Sequence, residues 1–474
     1  MTNNIEPFEI DSPLTMYEKN NMDINEFQEE NSNDNIIFQD ESRTDQNDKK
    51  MKKAYCGIRG DSEKSCILNV AVSAIGGGCF SFPFIMYEGG ILVSLFIFFF
   101  VTFSVYYSVD LLRSFVVDTK YFSFTLMTEK ILGHKWLRIY AFSSFIIYTS
   151  MEVSYLSSIF IYVKRMYNLS GALFNILYFI ISMLIEIIIC LYITKIANMH
   201  YLSIISIFCF LLMLFSLIIV SLYVNISGKI EPKFTKNNLF FPYLSRDNFI
   251  NIVFKISSYI MVYTYAYSYH STFPTLLGSL YNVNHSNTKK VHKISFGIIS
   301  MAYLLLTIFG FILSNKVPNE IFQEKDDFFN EDWKTIKRPF QYCLIIFLLF
   351  LIPIRFIVLR DNYITLIGKR KVTFFKELTI VGIFLLICNI LVFCIAEFDE
   401  YLEKFQIKNT TQAFGGIFGV VISFVLPVIN YSSVNGKKKI KSIIGYTILA
   451  FYILISILSS GHTIYQIFVG DDKK

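Results

Sequence analysis

Gly76, Gly77 and Gly78 stand side by side in the run SAIGGGCFSFP, Ser73 to Pro83, with apolar sequence on both sides. A glycine costs about 1 kcal/mol relative to alanine inside a helix, so three together predict an interruption. Pro83 adds another residue ill suited to a continuous helix. Where a helix resumes near Cys79, its first N–H groups lack intrahelical acceptors and carry about half a positive charge. Such a terminus suits a carboxylate. Ser73, Gly76, Gly77, Gly78 and Cys79 are the candidate residues for holding one. Close packing of helices through small residues is the alternative use of the triplet.

A second stretch, KISSYIMVYTYAYSYHSTFPTLLGSL, ends a tyrosine-rich segment in His270 and Pro274. Proline has no N–H, so it frees the carbonyl one turn earlier, near His270. Carbonyls released at Ala266, Tyr267 and Ser268 would accept from an ammonium group, with Tyr267 and Tyr269 shaping the space beside them. Titrating groups offer a different chemistry. Glu152 lies among polar neighbours in YTSMEVSYLSS, and Glu186 among isoleucines in SMLIEIIIC. His270 is of the residue type that titrates near neutral pH. A charge deep in a membrane costs roughly 2.5–3.5 kcal/mol on insertion scales, so such residues are usually functional or paired. Glu152 and His270 are the candidates for handling a proton, with a structural hydrogen bond as the alternative for His270. Glu186 is the weaker candidate, readable as neutral or bonded to a nearby hydroxyl.

Membrane helices are needed to position these groups. The chain has 474 residues, 54% of them hydrophobic and 17% charged, against about 25% charged in soluble proteins. Its mean hydropathy is +0.48. Apolar runs near 20 residues recur, enough to cross a ~30 Å hydrocarbon core at ~1.5 Å per residue. About eleven spans are expected. They fall at roughly 65–87, 90–115, 136–163, 172–193, 201–224, 248–273, 294–315, 339–359, 373–395, 411–431 and 442–468. The alternation of barrel strands is missing, so the expected fold class is an all-α polytopic membrane protein. The interrupted first and sixth spans hold matching places in two halves of five helices, about 65–224 and 248–431. One extra helix follows. That is the pattern of an inverted repeat with its site at mid-membrane.

Residues 1–55 are acidic, rich in Asn and poor in apolar side chains, and are expected to form a disordered cytosolic tail ahead of a membrane domain over 56–474. No apolar h-region lies near Met1. Lysines cluster before the first span (Lys49, Lys50, Lys52, Lys53), after the sixth (Lys289, Lys290, Lys293) and in NGKKKIK after the tenth. Acidic loops follow the seventh and ninth, so the positive-inside rule places the N-terminus in the cytosol. The net charge of +6 needs no nucleic-acid partner, and the eight cysteines form no zinc-ligand pattern. Only His270 and His462 among the histidines fall within spans, and neither has a paired catalytic motif. No cofactor, metal or catalytic residue is expected.

Taken in order, these residues resemble the amino acid/auxin permease family, within the amino acid–polyamine–organocation superfamily. Its opening glycine-rich segment is matched by Gly76, Gly77 and Gly78, and a tyrosine-to-LG segment by Tyr121 to Gly133. His270 and Pro274 match its H-x-x-x-P signature. Pro353, Ile354 and Arg355 match P-x-R, and Gly416, Gly419, Leu426 and Pro427 match G-x-x-G followed by LP. The resemblance covers about Ser65 to Phe468. It implies a broken-helix bundle that carries amino acids by alternating access, as a secondary active or facilitative transporter. A substrate carboxylate would meet the N–H groups at Gly77 to Cys79, and its ammonium the carbonyls around Ala266 to Ser268.

In sodium-coupled relatives an asparagine before the glycines and a threonine in the eighth helix help hold the ion. Ser73 and Ile346 stand there in this chain. Isoleucine offers no oxygen to a hard cation, so a coupling proton is expected ahead of sodium. The acidic residue common after the sixth helix is replaced by Ser279. The implied partners are a small-molecule amino acid, a proton and the lipid bilayer. A non-transporting amino acid sensor using the same pocket is the alternative function. Plasma membrane and vacuolar or endolysosomal membrane are both compatible with the sequence.

Overall fold

A computed structural model of the chain describes residues 62–167, 171–193, 199–226, 248–313, 339–353, 374–397, 416–436 and 439–469. The expected tail over 1–55 and Arg355 of the P-x-R motif lie outside the described residues. Those described are built from helices, with no β-strand element among them.

The first span starts as α1, Glu63–Ala74. Ser62 caps it, its hydroxyl accepting from the Ser65 N–H at 3.2 Å, and Glu63 puts an acid in the first turn, where the helix dipole favours it. The helix stops at Ile75, whose backbone is extended. A 3₁₀ turn follows over Gly77–Ser81, and α2 over Phe82–Gly89. The two halves of the span are inclined at 53°. Regular α-helix therefore resumes at Phe82 and not near Cys79. The Cys79 N–H instead closes a three-residue turn onto the Gly76 carbonyl at 3.3 Å. Pro83 sits in the first turn of α2, where its missing N–H breaks no bond.

The helices α3 (Ile91–Thr119), α4 (Phe124–Leu132), α5 (His134–Met166), α6 (Ala172–Ile193) and α7 (Met199–Ile226) follow. The sixth span is again split, into α8 (Phe249–Ala266) and α9 (Phe273–Gly278), with Pro274 in the first turn of α9. The remaining helices are α10 (His285–Leu313), α11 (Pro339–Pro353), α12 (Phe374–Glu397), α13 (Gly416–Asn435) and α14 (Ile440–Val469). Inside α13 a π-turn, Val421–Val425, precedes Pro427, and the Leu426 N–H donates to the Val421 carbonyl five residues back. A proline crowds the carbonyl four residues ahead of it, and the wider turn makes room.

Seven of the described helices are long and apolar enough to cross a bilayer, or eight if α1 and α2 count as one bent span. Shorter apolar segments lie on α6, α11 and α12. Leu173, Phe96, Phe208 and Ile457 are more than half exposed. Side chains of this kind face lipid in a bundle whose backbone is satisfied within its own helices. At the centre α10 packs against α1, α2, α3, α7 and the 3₁₀ turn. Outside it α5 packs against α4, α12, the 3₁₀ turn and the π-turn, while α6 packs against α12 and α8 against α14.

One end of the bundle is joined by charge. Buried Arg113 of α3 pairs with Asp110 at 2.8 Å, and Lys441 of α14 reaches the same carboxylate at 3.4 Å. Lys290 of α10 pairs with Glu63 of α1 at 2.7 Å, and His285 lies 3.0 Å from Asp118.

Candidate functional site

The two interruptions meet. A Cβ added to Gly78 would stand 3.3 Å from Tyr265 Cδ1 and 3.5 Å from the Ala266 Cα, so glycine is what lets the 3₁₀ turn lie against the end of α8. No side chain caps the start of that turn. What fills the junction comes from α10. The Tyr303 hydroxyl accepts from the Gly76 N–H at 3.3 Å, and the carbonyls of Ala74 and Ala266 each lie 2.8 Å from it as acceptors. A hydroxyl has one proton, so it serves one of the two carbonyls at a time. Tyr303 has no exposed surface. Phe82 and Tyr267 pack edge-on against its ring, at 5.3 and 4.9 Å between centroids.

Around this point aromatic hydroxyls lock the flanking helices. Tyr267 bonds Thr102 of α3 at 3.1 Å and Ser300 of α10 at 3.3 Å, and its ring stacks on Phe296. Tyr263 bonds Ser94 of α3 at 2.7 Å. Farther out, the four half-helices are cross-tied. The Cys66 thiol of α1 donates to the Leu276 carbonyl of α9 at 3.3 Å. The Tyr259 hydroxyl of α8 donates to Glu88 of α2 at 2.9 Å.

The structure brings Gly76, Gly78, Cys79, Ala266 and Tyr267 to one place, with Gly77 opening the 3₁₀ turn. The Ser73 hydroxyl is turned onto its own helix, donating to the Val70 carbonyl at 2.9 Å. The carbonyl released at Ala266 accepts from Tyr303, while that of Tyr267 accepts from the Tyr269 N–H at 2.9 Å. The Ser268 N–H folds back onto the Tyr265 carbonyl. Tyr269 is fully buried beside Phe273.

His270 lies on the far side of the break, towards Phe424 of the π-turn at 6.4 Å between rings. It is 1% exposed, and neither ring nitrogen has a hydrogen-bond partner among the described residues. Glu152 is also fully buried, on α5, but it faces α12, close enough to Cys388 for the two groups to interact electrostatically. The two proton candidates thus lie on different elements, Glu152 on α5 and His270 in the break between α8 and α9. Ile346 is 37% exposed, turned outward.

Sequence reasoning missed Tyr303. It is one of 30 tyrosines and sits in a run, SMAYLLLTIF, that reads as lipid filling. It also missed Asn389, which donates to Glu186 across helices at 2.8 Å. A lone asparagine inside LLICNILVF was the available signal, since an amide in a membrane helix seeks an interhelical partner.

Among solved structures the chain is similar to a manganese transporter from Eremococcus coleocola, crystallised with an aromatic bis-isothiourea compound. Identity is 12%, over 87% of this chain and 88% of that one, with a TM-score of 0.57. MhsT in complex with L-phenylalanine matches at 15% identity over 85% of this chain and 99% of that one, with a TM-score of 0.53. A sodium-coupled sialic acid symporter in its substrate-bound outward-open state matches at 10% identity over 87% and 92%, with a TM-score of 0.51. These likenesses establish the fold, that of the LeuT-type transporters. No curated relative matches the chain. The family model described as transmembrane amino acid transporter protein matches residues 59–469. With both broken helices inside that match, the chain belongs to the transmembrane amino acid transporter family, the amino acid/auxin permease family that its motifs resemble.

Proposed function

We propose that this member of an amino acid transporter family is a secondary active or facilitative carrier that works by alternating access and grips its substrate where α1/α2 and α8/α9 come apart. One observation carries the reading. The Tyr303 hydroxyl accepts from a backbone N–H and donates to a backbone carbonyl at the junction of the two breaks. An amino acid zwitterion makes the same pair of interactions, its carboxylate accepting and its ammonium donating. Tyr303 thus acts as a stand-in for the substrate, and substrate entry moves its ring aside. The released groups are the Gly76 N–H and the carbonyls of Ala74 and Ala266. Gly78 and Cys79 complete the first wall, and Tyr267 closes the second. The junction is buried on all sides, which supports an occluded state sealed at one end by the Arg113–Asp110–Lys441 and Lys290–Glu63 pairs.

Coupling to protons is the finer part of the proposal. A neutral imidazole has one donor and one acceptor to satisfy, and His270 leaves both to a substrate, a water or a proton. Glu152 supplies a buried acid on the helix that packs against the 3₁₀ turn. Uptake of a panel of amino acids into proteoliposomes, at two pH values with and without sodium, is the test. Saturable flux driven by a pH gradient agrees with the proposal. Ligand-induced stabilisation without flux selects the sensor instead.

A further inference from the structure

A second polar site lies in the group formed by α5, α6 and α12. On α6, Asn175, Tyr178, Ser182 and Glu186 recur at helical spacing and share one face. The opposite face carries Leu173, Ile180, Leu184 and Ile188, each about half exposed or more. Glu186 itself is 1% exposed. One of its carboxylate oxygens, Oε2, accepts from the Asn389 side chain of α12 at 2.8 Å. The same amide donates to the Leu385 carbonyl at 3.0 Å, and its oxygen accepts from the Ser182 hydroxyl at 2.9 Å. Asn389 is therefore committed on both ends, and its orientation is fixed.

The other Glu186 oxygen, Oε1, is buried with no hydrogen-bond partner among the described residues. A carboxylate has lone pairs for several donors, so with one oxygen held by Asn389 the other is left to take a proton. Beside Asn389 lies a void of about 10 Å³, lined by Asn175, Tyr178, Phe160, Phe179, Val392 and Phe393. That is about the room one water's centre occupies. The void and the carboxyl share one neighbour, Asn389, which lines the first and bonds the second.

We propose that Glu186, held by Asn389, which Ser182 in turn orients, is a proton-binding site separate from the broken-helix junction. No lysine or arginine among the described residues pairs with it. A buried carboxylate with no cation beside it needs a neutralising charge, and a proton on the unpartnered Oε1 supplies it without further space. The titratable groups around it are Tyr178 on its own helix, Cys388 on α12 and Glu152 on α5, with Cys388 near enough to both acids to sense their charge. Helix α5 links this site to transport, because it touches both the 3₁₀ turn of the first break and the π-turn that His270 faces. Loading Glu186 changes the charge that α5 packs against, and α5 passes the change to the junction. The coupling role rests on the transport reading above, whereas the proton site itself does not.

Two measurements separate the two. Infrared difference spectra of the purified full chain across a pH titration report the C=O stretch of a protonated buried carboxyl. The expected result is such a band in the wild type that is lost in Glu186→Gln and shifted in Asn389→Leu. An unchanged band in Glu186→Gln overturns the proton site, whatever the transport result. In proteoliposomes, proton uptake per substrate molecule exchanged is expected to fall to the level of empty liposomes in Glu186→Gln and to recover in part in Glu186→Asp. Wild-type proton uptake in Glu186→Gln, or accumulation driven by sodium and indifferent to pH, overturns the coupling role. Absence of any substrate exchange by the wild type removes the transport reading and leaves the infrared result to decide the proton site.

Discussion

Replacing Tyr303 by phenylalanine removes one oxygen from the junction and leaves the ring packing against Phe82 and Tyr267 intact. In the substrate-free protein the Gly76 N–H and one carbonyl, of Ala74 or Ala266, then lose their partner in a site with no access to bulk water. A buried polar group left unpaired costs about 1–3 kcal/mol. The contact to Gly76 is long, at 3.3 Å, and those to the carbonyls are short, at 2.8 Å. A net cost of about 2 kcal/mol is therefore reasonable. Substrate supplies the missing partners, so the cost falls on the empty protein alone. Apparent affinity should rise by about 30-fold, the equivalent of about 2 kcal/mol. The assay is paired: melting temperature of the purified chain with and without substrate, and KM for uptake in proteoliposomes. Tyr303→Phe should melt lower when empty, gain more from substrate, and show a lower KM. A higher KM with a smaller gain would mean that the hydroxyl contacts the substrate directly, and the stand-in argument would fail.

Other perturbations probe the frame around this point. Gly78→Leu forces bulk against Tyr265 and the Ala266 backbone, so it should abolish uptake while costing about 1–3 kcal/mol of stability. Gly278→Ala places a Cβ 2.7 Å from the Phe122 Cβ and should lower the melting temperature by a similar overpacking cost, about 1–3 kcal/mol, with Gly278→Ser no better. Arg113→Met breaks a largely buried pair and leaves Asp110 to Lys441 alone, which should cost about 1.5–3 kcal/mol, the worth of a hydrogen bond to a charged group. Lys290→Ala removes a more exposed pair and should cost under about 1 kcal/mol, read in the same thermal assay. Ser73→Ala deletes only a bond to the Val70 carbonyl of its own helix, and uptake should stay near wild type.

Much of the frame could be read from residue types. Three adjacent glycines, and a proline past a polar stretch, are strong local signals because backbone entropy and the missing N–H act wherever those residues stand. Both breaks appear where those signals lie. The form of the first one could not be read, because glycines mark where a helix is interrupted and not which turn replaces it. Packing of Gly78 against Ala266 and the position of Pro83 settle it. Tyr303 was invisible for another reason. Its role depends on three backbone groups more than 30 residues away in sequence, and nothing in its own neighbourhood differs from lipid-filling helix. Glu186 shows the same limit. Isoleucine neighbours pointed to a bland residue, whereas the Asn389 amide that orients it lies 203 residues later.

The cross-ties between half-helices have a mechanical consequence. Cys66 ties α1 to α9 and Tyr259 ties α8 to α2, so each half of one broken span is bonded to a half of the other. Tyr303 reaches the inner ends of α1 and α8 through the Ala74 and Ala266 carbonyls. The arm formed by α8 has 18 residues, about 27 Å at ~1.5 Å per residue. A rotation of α8 by about 10° about its Ala266 end would sweep its far tip by about 5 Å. Under the alternating-access proposal, a small rotation released at the centre would be magnified to several ångströms at the rim.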